Sequence, residues 1–289
     1  MTDAAPALVH PWFAPTYYLL ALVLAAFVIF NANAAALDYG ALYEQLGAGD
    51  RADTQVKKAL EALSFGLYRG ANEEQAQMTR LLALADVHER RATSGAWLLF
   101  GLSVMFLSVH VLTRRVAVAE WRSRTFVLHL LGVANVFLLV GLLAPILSLV
   151  AYTDVMVLGQ VVFKYESKGI VTTVVELISR DNVFIAVTLL TFSVVTPVAK
   201  HVMTFLALRS SEAEKRRRYV GLLGAIGKWS MADVLVVAIL LAFFVASADQ
   251  FSDSWLGVGL YFFVGYCVMS LLAVHLVARM GDAVEVRAA

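Results

Sequence analysis

Long apolar runs separated by short charged stretches set the rhythm of this chain. Residues 12–30 form the first run, 95–113 the second, 126 to about 150 the third and 183–208 the fourth. A fifth starts at 228 and a sixth covers 257 to about 280. Each is near the ~20 residues an α-helix needs to cross a bilayer, so the pattern predicts an all-α polytopic protein with six transmembrane helices. Between the first two runs lies the one long hydrophilic stretch, residues 31–94. It is rich in Ala, Leu, Glu and Gln, with Leu60, Leu63 and Leu67 at helical spacing. It predicts two or three amphipathic helices with breaks at residues 47–49 and 70–72.

After the third run the period changes from helical to alternating. Val155 and Val157, then Val161, Phe163 and Tyr165, flank Gly159-Gln160, which predicts a small outer β-hairpin turning at those two residues. Residues 171–179 then read as a short helix lying on the outer membrane surface.

Composition supports this reading: 60% of the 289 residues are hydrophobic and 16% charged, too apolar for a soluble domain of this size. The basic residues orient it. Arg114, Arg115, Arg122 and Arg124 crowd one short loop, and Lys215-Arg216-Arg217-Arg218 sits in another, whereas residues 249–255 carry no Lys or Arg. By the positive-inside rule both basic loops and both termini are cytoplasmic, with residues 31–94 and 150–182 outside. Ala32-Asn33-Ala34 resembles a signal-peptide cleavage site. The apolar run before it is long for a signal and has no basic residues ahead of it, so an uncleaved anchor is expected. The net charge of +1, without a basic patch on a binding motif, gives no reason to expect nucleic acid. The single cysteine, Cys267, excludes an internal disulfide and a thiolate-rich metal site.

Within the apolar runs a few polar residues stand out. Lys200 lies deep in the fourth run, where a charge costs on the order of 3 kcal/mol or more and therefore faces a partner or a wet cavity. Ser193, Thr196 and Lys200 are spaced three and four apart and share a helical face. Pro197 interrupts the helix beside them and removes a backbone donor. Ser230 and Asp233 form a similar pair about one turn into the fifth run, next to Trp229. Lys200 and Asp233 fall in the same half of the membrane. An ion pair tying two helices together and a titrating gate in a cavity are both open readings. His110, His129, Asn135, Ser270 and His275 are weaker signals, read as packing residues. No metal-ligand spacing, nucleophile–base arrangement or nucleotide fingerprint is visible, so neither an enzyme nor a cofactor is expected.

Four features in order resemble the paraquat-inducible protein A family. Pro145 ends a helix before a short β segment. Thr196-Pro197-Val198-Ala199-Lys200 is similar to a Pro-x-x-Lys helix motif. Lys228-Trp229-Ser230-Met231-Ala232-Asp233-Val234 is similar to a Trp-Ser-Met-x-Asp-Val helix start, and Gly257-Val-Gly-Leu-Tyr261 to a Gly/aromatic one. The resemblance covers residues 126–280, within a single four-helix module of residues 126–289. It leaves 1–125 as a separate two-helix segment, and the zinc ribbons of longer members are absent.

The resemblance implies a multi-pass protein of the bacterial inner membrane that handles phospholipid together with an MCE-domain periplasmic partner. It also implies a polar-lined cleft, carried here by Ser193, Thr196, Lys200, Ser230 and Asp233, with proton coupling as a further expectation. Two other classes remain open: a membrane assembly or stress-response scaffold working through residues 31–94, and a proton-coupled small-solute transporter.

Overall fold

The computed structural model describes residues 12–45, 70–115, 120–155, 159–210, 214–215, 218–219, 221–223 and 252–288. Two long helices come first, α1 (Phe13–Gln45) and α2 (Gly70–Arg115), packed along each other. Their seam is built from small residues. Tyr17, Ala21, Ala25, Val28, Ala32 and Ala35 are buried on α1, and Ala85, Ala92 and Leu99 on α2. Spacings of three, four and seven keep one stripe of each helix turned inward, and alanine lets the backbones approach. Outside that stripe the apolar side chains point away from the protein: Leu19 is 70% and Phe30 69% exposed. Large exposed apolar faces around a small-residue seam are what a helix pair presents to lipid.

These helices correct one expectation. Residues 31–45 and 70–94 are not separate amphipathic helices: α1 continues unbroken past residue 30 to Gln45, and α2 begins at Gly70, at the expected break and well before the apolar run. These parts of the hydrophilic stretch extend the two spans, and residues 46–69, with the expected break at 47–49, lie outside the described set. Ala32-Asn33-Ala34 lies inside α1, and the Asn33 amide donates to the Leu143 carbonyl on the next helix at 3.0 Å. That bond occupies one of the carbonyls a helix C-terminus leaves without an internal partner.

Among the described spans, helix α3 (Glu120–Leu143) is the most enclosed, with Val127, Val133, Ala134 and Val140 inaccessible to solvent. It ends at Leu143, just before Pro145, rather than running to about residue 150 as its apolar composition predicts, and the chain becomes strand β1 (Leu147–Val155). Antiparallel β2 (Gly159–Lys168) pairs with it, Val155 opposite Gly159 and Leu147 opposite Lys168. Gly159 and Gln160, expected at the turn, instead begin β2, and residues 156–158 lie outside the described set. A third strand, β3 (Ser252–Leu256), pairs on the other side of β1 and makes a sheet of order β2-β1-β3. The sequence reading took residues 249–255 as loop, because Ser-Asp-Ser-Trp-Leu is too polar to read as a strand and its partner lies about 100 residues away.

The short helix α4 (Ile170–Ser179) turns Ile170 and Val174 inward. It closes with Asp181 in the left-handed region at φ 59° and an Asn182 N–H bond to the Leu177 carbonyl, a Schellman ending that reverses the chain. Helix α5 (Val183–Leu190), a π-turn (Thr191–Val195) and α6 (Thr196–Arg209) then form one span. The last helix, α7 (Val258–Ala288), packs on α3. Gly141 makes that contact possible, since a Cβ there would stand 2.8 Å from the Phe263 backbone. Among the described residues, five helices are long and apolar enough to cross a membrane. The expected fifth run, from residue 228 to about 248, lies outside them.

Candidate functional site

The helical pair, the sheet and α7 enclose a groove of about 740 Å³. Each wall follows from helical periodicity. Ala32, Ala35, Ala36 and Tyr39 recur on one face of α1, and Glu89, Ala92, Ala96 and Phe100 on one face of α2. Tyr261, Gly265 and Val268 do the same on α7. From Glu89 to Phe100, and again from Val258 to Met269, the lining extends about 16 Å at 1.5 Å per residue. That is roughly half of a ~30 Å hydrocarbon layer, the depth of one leaflet.

The two ends of the groove differ in chemistry. At the sheet end it is ringed by Tyr39, Glu89, Ser148, Tyr165, Ser167 and Trp255. Toward the membrane interior only apolar side chains and glycine remain, Phe100, Phe137, Gly265, Val268 and Met269 among them. The side between α2 and α7 is open, because Trp97 (71% exposed), Tyr261 (65%) and Val268 (60%) line the groove and face outward.

The polar end is held rigidly. Tyr39 donates to Glu89 at 2.6 Å and Asp86 at 3.1 Å, and His88 bonds Asp38 at 2.7 Å, so α1 and α2 are stitched beside the mouth. Ser148 donates to Ser167 across β1 and β2 at 2.8 Å. Burial pushes the Tyr165 phenol above its ordinary value, partly offset by the nearby Ser148 and Ser167 hydroxyls, and its oxygen completes no hydrogen bond among the described residues. The start of α7 is pinned to the Pro145 turn: Gly257 N–H donates to the Ile146 carbonyl at 3.0 Å and Gly259 N–H to the Pro145 carbonyl at 2.9 Å. A Cβ on Gly257 would collide with the Pro145 carbonyl, so only glycine fits there. Pro145, Gly257 and Tyr261, singled out in the sequence, thus meet at this corner.

The polar residues of the fourth run lie elsewhere. Ser193 and Lys200 are buried (3% and 2% exposed) and Thr196 is half-buried, but none lines the groove. The buried stripe is Ser193, Pro197, Lys200 and Thr204, with the Thr204 hydroxyl donating to the Lys200 carbonyl at 2.7 Å. The irregularity expected at Pro197 takes the form of the π-turn just before it, where the Thr196 N–H reaches back five residues to the Thr191 carbonyl. His201, next to Lys200, packs edge-on against Tyr266 of α7 at 5.8 Å, and neither ring nitrogen finds a hydrogen bond among the described residues. Ser230, Asp233, Trp229 and Met231 lie outside the described residues, as does any Lys200–Asp233 contact.

Two of the membrane histidines pack as expected, while His275 is exposed: His129 bonds the Tyr18 hydroxyl at 3.1 Å and lies 4.4 Å from the tilted ring of His110, and His110 donates to the Phe106 carbonyl at 3.0 Å. Among the described residues no three His, Cys, Asp or Glu side chains are placed to hold a metal. The sequence reading missed the mouth residues Tyr39, Glu89, Ser148, Tyr165, Ser167 and Trp255. They come from five elements, and the one available signal was the cluster of aromatic residues at the ends of predicted spans.

Apolar helices around a laterally open groove define a multi-pass membrane protein. Residues 140–280, a little under half of the chain, match the family model described as Paraquat-inducible protein A. The match takes in the sheet, the Pro145 corner, the Lys200 span and α7. It leaves out α1 and α2, which supply the other walls of the groove. Comparison with curated proteins and with solved structures gave no match.

Proposed function

We propose that this protein is an inner-membrane component of an MCE-type intermembrane lipid transport system, which takes a phospholipid into the groove and exchanges it with an MCE-domain partner on the sheet side. The groove carries the reading. It is one leaflet deep, apolar along its length, polar at one end and open sideways, the shape and polarity of a single amphiphile lying beside a bilayer. The basic loops at the end away from the sheet favour a cytoplasmic position for that end, which turns the polar mouth toward the periplasm.

The Ser193–Thr196–Lys200 stripe, with Ser230 and Asp233, is assigned a different role in this reading: a proton-linked path that drives exchange without touching the cargo.

The test is purification in native lipids of the wild type, Ala96→Trp and Lys200→Ala, with mass spectrometry of bound lipids and proteins and a vesicle transfer assay. Ala96→Trp is expected to lose at least about tenfold of the bound phospholipid by filling the groove. Lys200→Ala is expected to keep its lipid and its MCE partner but transfer at least about tenfold more slowly. Unchanged lipid in Ala96→Trp overturns the groove as the site, and normal transfer by Lys200→Ala removes the stripe from the mechanism.

A further inference from the structure

Resting on the lipid reading, we propose that the mouth of the groove is an ammonium-head-group site, selecting phospholipids with a cationic nitrogen over anionic ones. Three aromatic rings line the mouth. Trp255 lies 6.4 Å from Tyr39 at 72° and 6.2 Å from Tyr165 at 37°, centroid to centroid. Tyr43 stacks behind Tyr165 at 5.0 Å and stands 6.5 Å from Trp255, holding the group in place. Aromatic rings clustered beside a carboxylate at a groove mouth offer an alkylammonium cation–π attraction to whichever ring face the groove exposes.

Charge points the same way. Glu89 is the charged residue lining the groove, and neither lysine nor arginine lines it among the described residues. Arg90 and Arg91 follow Glu89 in sequence, but helical spacing turns them to other faces, and they do not line the groove. Lys164 and Lys168 of β2 are taken up by Glu166 and Glu176, at 2.7 to 3.0 Å. A carboxylate backed by aromatic faces attracts an ammonium and repels a head group whose only charge is a phosphate.

The phosphate of a zwitterionic lipid has its own partners on the opposite wall. The Tyr165 hydroxyl is buried with no completed hydrogen bond among the described residues. Ser148 already donates to Ser167, and the Ser167 hydroxyl sits beside the Tyr165 phenol, so between them these two groups have a hydrogen to give to a phosphate oxygen. Ammonium toward Tyr39, Glu89 and Trp255, with phosphate toward Tyr165 and Ser167, satisfies both charges of an ethanolamine- or choline-type head while the acyl chains run down the apolar wall.

The test measures lipid binding to the full-length protein in detergent by native mass spectrometry. Phosphatidylethanolamine, phosphatidylcholine and phosphatidylglycerol with identical acyl chains are compared in pairwise competition. The expected result is at least about a fivefold preference for the ethanolamine and choline lipids, in keeping with one or two cation–π and charge contacts. Glu89→Gln keeps an acceptor for Tyr39 and is expected to cut the preference at least about threefold. Glu89→Lys is expected to reverse it toward phosphatidylglycerol, and Trp255→Leu to lower ethanolamine and choline binding while sparing phosphatidylglycerol. Thermal unfolding of each variant confirms an intact fold. Equal binding of all three head groups, or a preference unmoved by both Glu89 variants, overturns the head-group site and leaves the lipid reading standing. Failure of the wild type to retain any of the three overturns both.

Discussion

Glu166 shows how single side chains fasten the sheet to the membrane-embedded part. Its carboxylate takes Lys164 at 2.7 Å and Lys168 at 3.0 Å, and Lys168 goes on to Glu176 of α4 at 2.8 Å. Burial works against the Glu166 charge, but the two lysines outweigh it and hold the carboxyl below its ordinary value of about 4.5. Burial also opposes the Lys168 charge, and Glu176 and Glu166 more than restore it, raising the amine above about 10.5. A carboxyl lowered on folding stabilises above its unfolded value and loses that contribution as pH falls through the folded one. An amine raised on folding stabilises below its unfolded value and loses that contribution as pH rises through the folded one. Thermal stability is therefore expected to hold level from about pH 5 to 10 and to fall on both sides. Glu166→Gln should lower the plateau and flatten the acid limb, which a melting-temperature series in detergent reads directly. An acid limb of the same steepness in the variant would assign that loss to other carboxylates.

Among the elements, the span from Val183 to Arg209 has a built-in irregularity. Pro197 has no N–H to donate to Ser193, and its ring crowds the preceding turn. The helix responds by widening into the π-turn at Thr191–Val195, which shifts the phase of everything before it relative to Lys200. Pro197→Ala is expected to let a regular α-helix form, rotating Ser193 by about 100° relative to Lys200 for each residue of phase lost. Melting temperature should stay level or rise, while lipid transfer drops by about fivefold or more. A variant with both unchanged would make the π-turn a tolerated defect with no working role.

At the same scale it becomes clear which elements could be read from sequence. Runs such as 183–208 announce themselves because lipid demands continuous apolarity, and Pro145 stops α3 by local sterics. The continuation of α1 and α2 beyond their apolar parts left no such mark, since a helix leaving the membrane changes composition without changing period. Strand β3 was hidden for another reason: its pairing with β1 is a long-range match that no local pattern encodes. The Ser193–Lys200 stripe was legible because a charge in an apolar run is conspicuous. Tyr39, Glu89, Tyr165 and Trp255 were not, because each is ordinary where it stands in the chain.

For the whole molecule the arrangement of charged ends makes orientation measurable. Cys267, the single cysteine, is buried in α7, so Cys267→Ala provides a background for placing new thiols. Lys164→Cys marks the sheet end and Arg209→Cys the end of α6; both positions are exposed. With a membrane-impermeant maleimide on intact spheroplasts, residue 164 is expected to label fully and residue 209 only after lysis. The reverse pattern would put the mouth of the groove in the cytoplasm and exclude delivery to a periplasmic partner.

The division of the groove between α1–α2 and the family domain has a consequence for inheritance and design. Somewhat under half of the groove wall can be replaced by exchanging one pair of helices, with the part that carries the sheet, the Pro145 corner and the Lys200 span kept whole. On the proposed reading, what is carried and how it is moved can then change independently. A graft of residues 12–115 onto a domain of different origin would tell which half decides the passenger.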